Sequence, residues 1–315
     1  MILVTGGLGF IGAHTVRALL DLGQQCVVVS RTARKPPDFL AEASKDDLVV
    51  EQADCTDLAS LLEVGKRHEI TGVVHLAAAP LSHGSSLDNL EENVLAFFTM
   101  ARVARQWGVS RVVQASTIGV YGGVTASVYR EDLPLPVSSQ HALQAYKKGA
   151  EIFATAIAAT EGLQIASVRI GAIWGPLGRE RSPFFAAPQL IHAAAHRDAE
   201  PLNPLPFAGD GIDMLYAADC GRAIALLQTV RVLNYRSYNV GSGHVTTNRE
   251  VADAIVRAVD GPAPVLNDGR SAGAPAADAY LDTGRLHADT GFEPGHDLDA
   301  AVADYVQWLR AGHLR

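Results

Sequence analysis

Cysteine is scarce in this sequence, and no long apolar run is present. The three cysteines, Cys26, Cys55 and Cys220, are far apart and form no CxxC pair. This argues against a disulfide framework or a zinc site and fits a reducing compartment. No stretch reaches the roughly 20 apolar residues of a membrane span. The chain opens directly on an apolar strand-like run without a basic leader or cleavage site, so we expect a cytoplasmic protein with no membrane contact.

Long basic runs are also missing. The formal net charge is −8 and charged residues make up 19% of the chain, which argues against a nucleic-acid-binding surface. We therefore expect a small molecule as the partner. Hydrophobic residues reach 48% of the 315 residues, enough for a large buried core in one large or two ordinary domains.

The first half of the chain alternates short apolar runs with amphipathic helical patterns. The runs are apolar on both faces, as expected when helices cover both sides of a parallel sheet. This alternation predicts an α/β fold, a Rossmann-type doubly wound parallel sheet. The predicted strands are Ile2–Thr5, Cys26–Ser30, Leu48–Glu51, Gly72–Leu76, Arg111–Ala115 and Gln164–Ile170, and the predicted helices include Phe10–Leu22 and Leu87–Trp107.

The pattern changes after Gly171, where proline and glycine become frequent. A helix near 217–230 and a strand near 237–240 indicate a return to the sheet. We predict a dinucleotide-binding Rossmann domain over 1–170, with 213–242 returning to it. Residues 171–212 and 243–315 are predicted to form a small C-terminal substrate-binding lobe.

A glycine-rich segment, Thr5–Gly12, follows the first predicted strand and opens the first helix. Gly6, Gly9 and Gly12 stand at GxxGxxG spacing. Glycine here permits a tight turn and close approach of a pyrophosphate, which the helix N-terminus then holds. Between a strand and a helix of a βαβ pattern, this segment predicts a bound nicotinamide dinucleotide.

The end of the second strand bears on which dinucleotide binds. An acidic residue there usually holds the ribose hydroxyls of NAD, but this chain has Ser30 and Arg31, with Arg34 close behind. A hydroxyl and guanidinium groups suit a 2′-phosphate, so NADP is the expected cofactor, with NAD as the alternative. The other interpretation is a solvated basic loop. Asp54 is placed to meet the adenine, or else to cap the helix near Asp57.

Taken together, these motifs resemble the extended short-chain dehydrogenase/reductase family, in its epimerase/dehydratase group. The resemblance covers nearly the whole chain and implies a tightly bound NAD(P). Its landmarks include Thr5–Gly12, Asp54–Asp57, His75–Ala78, Asn93-Val94, Ser116–Gly122, Arg169–Pro176, Tyr238–Gly243 and Gly291–Pro294. The further cofactor contacts that it implies are Phe10, Ile11, Cys55, Leu76, Ala77, Ala78, Ala115, Lys147, Ile170 and Ile173.

The family pairs its subunits through the helices after the fourth and fifth strands, so we expect a homodimer. The second of these helices is predicted from about Gln140 to Thr160. Its small residues Ala150, Ala154 and Ala158 are spaced to let another helix approach closely, although packing against its own sheet is the alternative.

The usual catalytic set of the family is a Ser or Thr, a Tyr, and a Lys four residues after the Tyr. Thr117 matches the first, where its hydroxyl would polarise a substrate oxygen; a strand-end hydroxyl bound to local backbone is the alternative. The spacing of Glu151, Gly162 and Arg169 identifies Lys147 as the family lysine. This register places Leu143 where the tyrosine should be.

A proton donor is therefore missing from its expected place. Tyr146 and His141 are the nearby candidates, since three residues along a helix bring Tyr146 near the face of residue 143. A cation beside the phenol would lower its pKa. We predict a catalytic set of Thr117, Lys147 and Tyr146, with helix-surface packing as the alternative for Tyr146 and His141.

The substrate pocket departs from nucleotide-sugar enzymes. Ala172 replaces an Asn, and Ile212 replaces the Arg of an Arg-Asp pair, so two groups that would meet a diphosphate are absent. The leading hypothesis is an NAD(P)-dependent oxidoreductase or epimerase-like enzyme acting on a small, non-nucleotide carbonyl or hydroxyl compound. The alternatives are an NADP-binding sensor or scaffold without redox activity, and a non-redox enzyme catalysing elimination or cyclisation in the same pocket.

Overall fold

A computed structural model describes residues 1–79, 85–196, 202–259, 261–274 and 278–313. The strands are β1 Ile2–Thr5, β2 Cys26–Ser30, β3 Leu48–Gln52, β4 Gly72–His75, β5 Arg111–Thr117, β6 Val128–Tyr129, β7 Gln164–Ile170, β8 Ala172–Trp174, β9 Gly211–Ile212, β10 Met214–Tyr216, β11 Ser237–Val240, β12 Thr246–Thr247 and β13 Tyr280–Leu281. The helices are α1 Phe10–Asp21, α2 Asp38–Ala41, α3 Leu58–Arg67, α4 Ser86–Gln106, α5 Ala142–Glu161, α6 Ala187–Ala195, α7 Ala217–Thr229, α8 Asn248–Ala258, α9 Gly284–Thr290 and α10 Leu298–Arg310.

The main sheet confirms the predicted fold class. Its strand order is β11-β7-β5-β4-β1-β2-β3, and each neighbouring pair is parallel. The chain moves outward from β1 to β3 and then crosses to β4 on the other side of β1. The order therefore reverses between β1 and β4, and ligands bind beside the carboxyl ends of strands at such a point.

Helices cover both faces of this sheet, which explains why its central strands β1, β2 and β4 are mostly apolar and buried. Along β1, Ile2 and Val4 face a first core cluster, while Leu3 faces a second cluster on the opposite side of the sheet. The first cluster includes residues of α1 and α7, and the second includes residues of α3, α4 and α5. Because β1, β2 and β4 are buried on both faces, the sheet holds its carboxyl edge in a fixed position for the site.

The C-terminal half adds a third core cluster built mainly from α6, α8 and α10. The short strand β8 pairs with β10 here, within a segment whose prolines and glycines gave no strand pattern. Not all of the predicted lobe is separate, since Leu286 of α9 and the nearby Phe292 pack in the first cluster. The division into domains therefore remains a prediction.

The described ranges contain neither a helix that could span a membrane nor a cluster of metal-ligating side chains. No helix there is both long enough and apolar enough to cross a membrane. Nor do those ranges contain a group of three or more side chains suited to hold a metal ion.

Candidate functional site

A cavity of about 520 Å³ lies at the carboxyl edge of the sheet, beside the switch point. The ends of β1, β2, β3 and β4 form its floor and α4 forms one wall. Its lining is Gly6, Leu8, Gly9, Val29, Ser30, Arg31, Thr32, Arg34, Ala53, Asp54, Cys55, Thr56, Leu76, Ala77, Ala78, Ala79, Glu92, Asn93 and Ala96. An elongated cofactor that crosses the edge of β1 would occupy this place.

The glycine-rich loop forms one end of the cavity. Gly6 has φ of 69°, and a Cβ on it would lie 2.9 Å from the amide nitrogen of Ala77. A Cβ on Gly12 would lie 2.0 Å from the carbonyl oxygen of Gly6, so α1 could not pack against the loop. The Gly9 amide donates to that same carbonyl at 2.9 Å. Gly9 is also the N-cap of α1 and has no side chain to cap it, which leaves first-turn amides for an anion.

Many predicted cofactor contacts meet in this cavity. Those on its lining are Gly6, Gly9, Ser30, Arg31, Arg34, Asp54, Cys55, Leu76, Ala77 and Ala78. Among the described residues, the other predicted contacts lie outside the lining: Phe10, Ile11, Gly12, Ala115, Lys147, Ile170 and Ile173. The close approach of Gly12 to the Gly6 carbonyl, which a Cβ would block, and the cavity beside the loop fit a dinucleotide.

Asp54 and Asp57 have different roles at the adenine end. Asp57 is the N-cap of α3 and accepts from the amides of Ala59 and Ser60. Asp54 instead accepts from the amide and the hydroxyl of Thr56, both at 2.8 Å, and lines the cavity. The structure thus separates the two interpretations of Asp54: the capping residue is Asp57.

Beside the end of β2, the cavity contains an ion pair that the sequence pattern did not reveal. Arg31 donates from Nη1 to Oε1 of Glu92 at 2.7 Å, and both residues line the cavity. Glu92 lies on α4, 61 positions away in the chain. Next to it, buried Asn93 accepts from the Ala79 amide at 3.0 Å, which ties α4 to the segment after β4. Asn93-Val94, a landmark of the family resemblance, lies directly after Glu92 on α4.

Lys147 and Thr117 lie at the other end of the carboxyl edge. Lys147 is buried on α5 and donates from Nζ to the carbonyl of Ala115 at 2.6 Å. Burial lowers its pKa to about 8, against a smaller opposing effect of Glu151. Thr117 ends β5 beside Ile170 at the end of β7, and its hydroxyl accepts from the Gly119 amide at 3.2 Å. In that bond the oxygen of the Thr117 hydroxyl is the acceptor. The hydroxyl proton can still be donated to a substrate oxygen.

A buried ion pair supports this end of α5. Glu151, one turn after Lys147, accepts from Nη2 of Arg169 at 2.7 Å and from the Ser116 hydroxyl at 2.5 Å. Arg169 also donates to the hydroxyl of Tyr121 at 2.8 Å. The side chains of Arg169 and Glu151 are only 5% and 10% exposed. These bonds tie α5, which carries Lys147, to the ends of β5 and β7. Thr117 lies at the end of β5.

Tyr146 does not have the environment that we expected of a proton donor. It is 3% exposed and belongs to the second core cluster. Burial raises the pKa of its phenol, although Nζ of Lys147 lies 4.9 Å from the ring centroid. The expected lowering of that pKa is therefore wrong, because desolvation outweighs the nearby cation. Its catalytic role stays a prediction, and its burial in the core weighs against it.

The other residues of this turn of α5 are also engaged. Leu143 is half-buried and packs on the same cluster as Tyr146. His141 is the N-cap of α5 and accepts from the amide of Gln144 at 3.3 Å. Gln144 itself is buried and donates to the carbonyl of Gly119 at 2.8 Å, next to Thr117. Gln144 was not predicted as a site residue, since a glutamine at an apolar-looking helix position carries no functional signal in the sequence.

Two of the three alanines expected to face a second subunit lie inside this one, while Ala158 is half-buried. Ala150 and Ala154 are 1% and 3% exposed and pack in the second core cluster. The close approach inferred from them is thus internal packing. On the same two helices, Leu95 of α4 and Ile152 of α5 are 45% and 67% exposed.

The sequence of this chain matches a known protein family and several characterised enzymes. The NAD dependent epimerase/dehydratase family matches residues 2–241. The chain is 29% identical to dTDP-glucose 4,6-dehydratase of Streptomyces griseus, over 98% of this chain and 93% of that protein. It is 27% identical to UDP-glucose 4-epimerase of Azospirillum brasilense, over 98% and 92% of the two chains.

Solved structures show the same likeness. MoeE5 in complex with UDP-glucuronic acid and NAD superposes with a TM-score of 0.78 at 30% identity, covering 99% of both chains. The UDP-glucose 4-epimerase of Thermus thermophilus, in complex with NAD, gives a TM-score of 0.77 at 25% identity and 98% coverage of both.

Proposed function

Because this chain belongs to the NAD dependent epimerase/dehydratase family and is an enzyme of that kind, we propose the following activity. The protein catalyses NADP-dependent oxidoreductase or epimerase-like chemistry on a small carbonyl or hydroxyl compound that is not a nucleotide sugar. The observation that carries the cofactor assignment is the cavity at the switch point. There, Gly6 and Gly12 leave no room for a Cβ.

The chain's own residues divide the work along the carboxyl edge. The amides that begin α1 and the loop around Gly6 hold the pyrophosphate. The chemistry that a bound dinucleotide would supply is hydride transfer to or from a substrate carbon. Lys147 would hold the nicotinamide ribose, as the family resemblance implies, and its lowered pKa suits proton exchange near neutral pH. The Thr117 hydroxyl would polarise the substrate oxygen.

The preference for NADP rests on Ser30, Arg31 and Arg34, which line the cavity at its ribose end. One charge-assisted contact to a 2′-phosphate contributes about 1.5–3 kcal/mol, or about ten- to hundredfold in affinity. Titrating both cofactors by calorimetry tests this, with Arg31→Ala as the variant. The wild type should bind NADP⁺ more tightly than NAD⁺, and equal affinities would rule out the preference.

The proposed substrate class rests on the residues at two positions. Ala172 on β8 and Ile212 on β9 supply no donor for a diphosphate. The neighbouring Asp213 is fully buried, and its carboxylate accepts from the amides of Ser242 and Leu281 at 2.7 and 2.9 Å. Asp213 therefore serves the fold of the lobe. Unpaired burial of anionic oxygens is costly, so a diphosphate would bind poorly.

A second candidate is a nucleotide-sugar substrate, and the names of the relatives favour it. The two curated relatives act on dTDP-glucose and UDP-glucose, and MoeE5 was solved with UDP-glucuronic acid. Calorimetry with a panel of UDP- and dTDP-sugars on the cofactor-loaded enzyme separates the candidates. The proposal predicts no binding at micromolar concentration, and micromolar binding of any one sugar would establish the second candidate.

The chemistry itself is tested by following the cofactor. The purified protein is examined for bound dinucleotide by its absorption spectrum and then screened with carbonyl compounds and NADPH. Turnover that is lost in Lys147→Met, with cofactor binding retained, would support the oxidoreductase assignment. Bound cofactor without any redox change would favour non-redox chemistry or a sensor, and Leu143 is the residue that favours those alternatives.

Two further expectations belong with this proposal. We expect a homodimer, now on the exposed side chains of α4 and α5 such as Leu95 and Ile152, in place of the buried alanines. We also expect a cytoplasmic enzyme, a compartment that fits the three free cysteines.

A further inference from the structure

The ion pair between Arg31 and Glu92 spans the mouth of the cofactor cavity. One partner follows β2, where the adenosine ribose of a dinucleotide lies in this fold, and the other is on α4. Their side chains are 56% and 40% exposed, so the pair faces solvent on one side and the cavity on the other. A ligand entering at the ribose end meets both charges together.

Hydrogen bonds beside each partner fix the two sides of the pair. The Gln52 side chain donates to the backbone carbonyl of Arg31 at 3.0 Å, which ties the segment after β2 to the end of β3. On α4, Asn93 accepts from the Ala79 amide at 3.0 Å and donates to the Asn89 carbonyl at 2.7 Å. The backbone of Arg31 and the turn of α4 that carries Glu92 are therefore both fixed beside the cavity.

We propose that Glu92 is a specificity-determining residue, which competes with the 2′-phosphate of NADP for the Arg31 guanidinium. This inference rests on the proposed NADP preference. A guanidinium binds carboxylate and phosphate through the same in-plane N–H donors, so Arg31 makes its full contact with one of them at a time. NADP must displace Glu92 from Arg31, whereas NAD leaves the pair intact.

The competition reduces discrimination between the two cofactors without abolishing it. A phosphate carries more charge than a carboxylate and so takes Arg31. An exposed pair of this kind shifts an equilibrium by at most about fivefold. Glu92 thus keeps the pocket usable by NAD, because the adenosine ribose of NAD carries no phosphate and leaves the pair between Glu92 and Arg31 intact.

The test uses fragments that carry the ribose chemistry alone, so that it depends on no enzymatic activity. Dissociation constants of 2′,5′-ADP and 5′-AMP are measured by calorimetry on the full chain. The proteins are the wild type, Glu92→Gln, Arg31→Ala and the double variant. Glu161→Gln is the matched control, since Glu161 forms an exposed pair with Arg105 at 2.6 Å and is 42% exposed, away from the cavity.

Glu92→Gln should tighten 2′,5′-ADP by about two- to fivefold and leave 5′-AMP within about twofold. In the Arg31→Ala background, Glu92→Gln should change 2′,5′-ADP binding by less than about twofold, since there is no guanidinium left to compete for. Glu161→Gln should match the wild type.

The outcomes separate this inference from the proposed function. If the wild type binds 2′,5′-ADP no more tightly than 5′-AMP, the NADP preference itself fails. If that preference is present but Glu92→Gln leaves it unchanged, only the inference is overturned. An equal gain from Glu92→Gln with and without Arg31 would also overturn it, since Glu92 would then act without Arg31.

Discussion

The pair between Glu151 and Arg169 provides a test of how α5 is held at the site. Glu151→Leu removes the carboxylate that accepts two bonds from Arg169, Nη2 at 2.7 Å and Nε at 3.1 Å, and one from Ser116 at 2.5 Å. Arg169 would keep its contacts with the Tyr121 hydroxyl and the Glu131 carbonyl, but its charge would be buried without a counter-charge.

The magnitude follows from the burial of the two side chains, which are 5% and 10% exposed. Removing one partner of a buried ion pair costs about 3–5 kcal/mol, whereas replacing both partners with apolar groups is often close to neutral. Glu151→Leu and Arg169→Met should therefore each lower the free energy of unfolding by about 3–5 kcal/mol. The double variant should lose less than the sum of the two, by a clear margin.

Urea unfolding followed by circular dichroism measures these changes. With a slope of about 3 kcal/mol per molar urea, each single variant should lower the midpoint by about 1 M or more. Asp299→Asn is the control, because it breaks an exposed pair with Arg257 of comparable geometry, at 2.6 and 2.7 Å, and should cost about 1 kcal/mol or less. Buried and exposed variants with the same midpoint, or single losses that simply add, would refute the reasoning.

Three further predictions concern α5 and the subunit surface. Burial lowers the pKa of Lys147 to about 8, whereas in the unfolded chain it is about 10.4. Between these two pH values, Lys147 is protonated in the unfolded chain and mostly neutral in the folded one. The contribution of Lys147 therefore makes the free energy of unfolding rise with pH in this range. In urea unfolding, the advantage of Lys147→Met over the wild type should therefore shrink from pH 8 to pH 10; a constant difference would contradict the lowered pKa. Tyr146→Phe should lose about 10²–10⁴ in kcat with cofactor binding intact if Tyr146 donates the proton. Full activity would show that it only packs in the core, and new reductase activity in Leu143→Tyr would show that the natural chain does not perform redox chemistry. Sedimentation should show a dimer at micromolar concentration that Ile152→Arg dissociates, and a monomeric wild type would remove the dimer proposal.

The regular parts of the fold were predictable because their signals are local. Both faces of β1, β2 and β4 are buried, so each strand is an unbroken apolar run, and the runs alternate with amphipathic helices. The pair β8–β10 was not predicted, because a three-residue strand among prolines and glycines is specified by its partner more than by its own residues.

The candidate site was predictable where backbone geometry demands a residue type. Gly6 and Gly12 could be assigned because a Cβ at either position collides with the backbone. Glu92 could not, because its role arises from a contact across 61 residues that leaves no local pattern. Tyr146 shows the opposite error: helical spacing placed it near Lys147, but spacing alone does not reveal that a phenol is buried in the core.

The most direct test of the central claim, that a nicotinamide dinucleotide is held on the glycine-rich loop, is calorimetric titration of the wild type and Gly12→Ala with NADP⁺ and NAD⁺. Gly273→Ala is the control, because a Cβ there meets no atom within 4 Å. The wild type and the control should bind one NADP⁺ per chain, and Gly12→Ala should bind neither cofactor, because its Cβ would lie 2.0 Å from the Gly6 carbonyl. A wild type that binds neither dinucleotide, or a Gly12→Ala variant that binds as tightly as the wild type, would contradict the account.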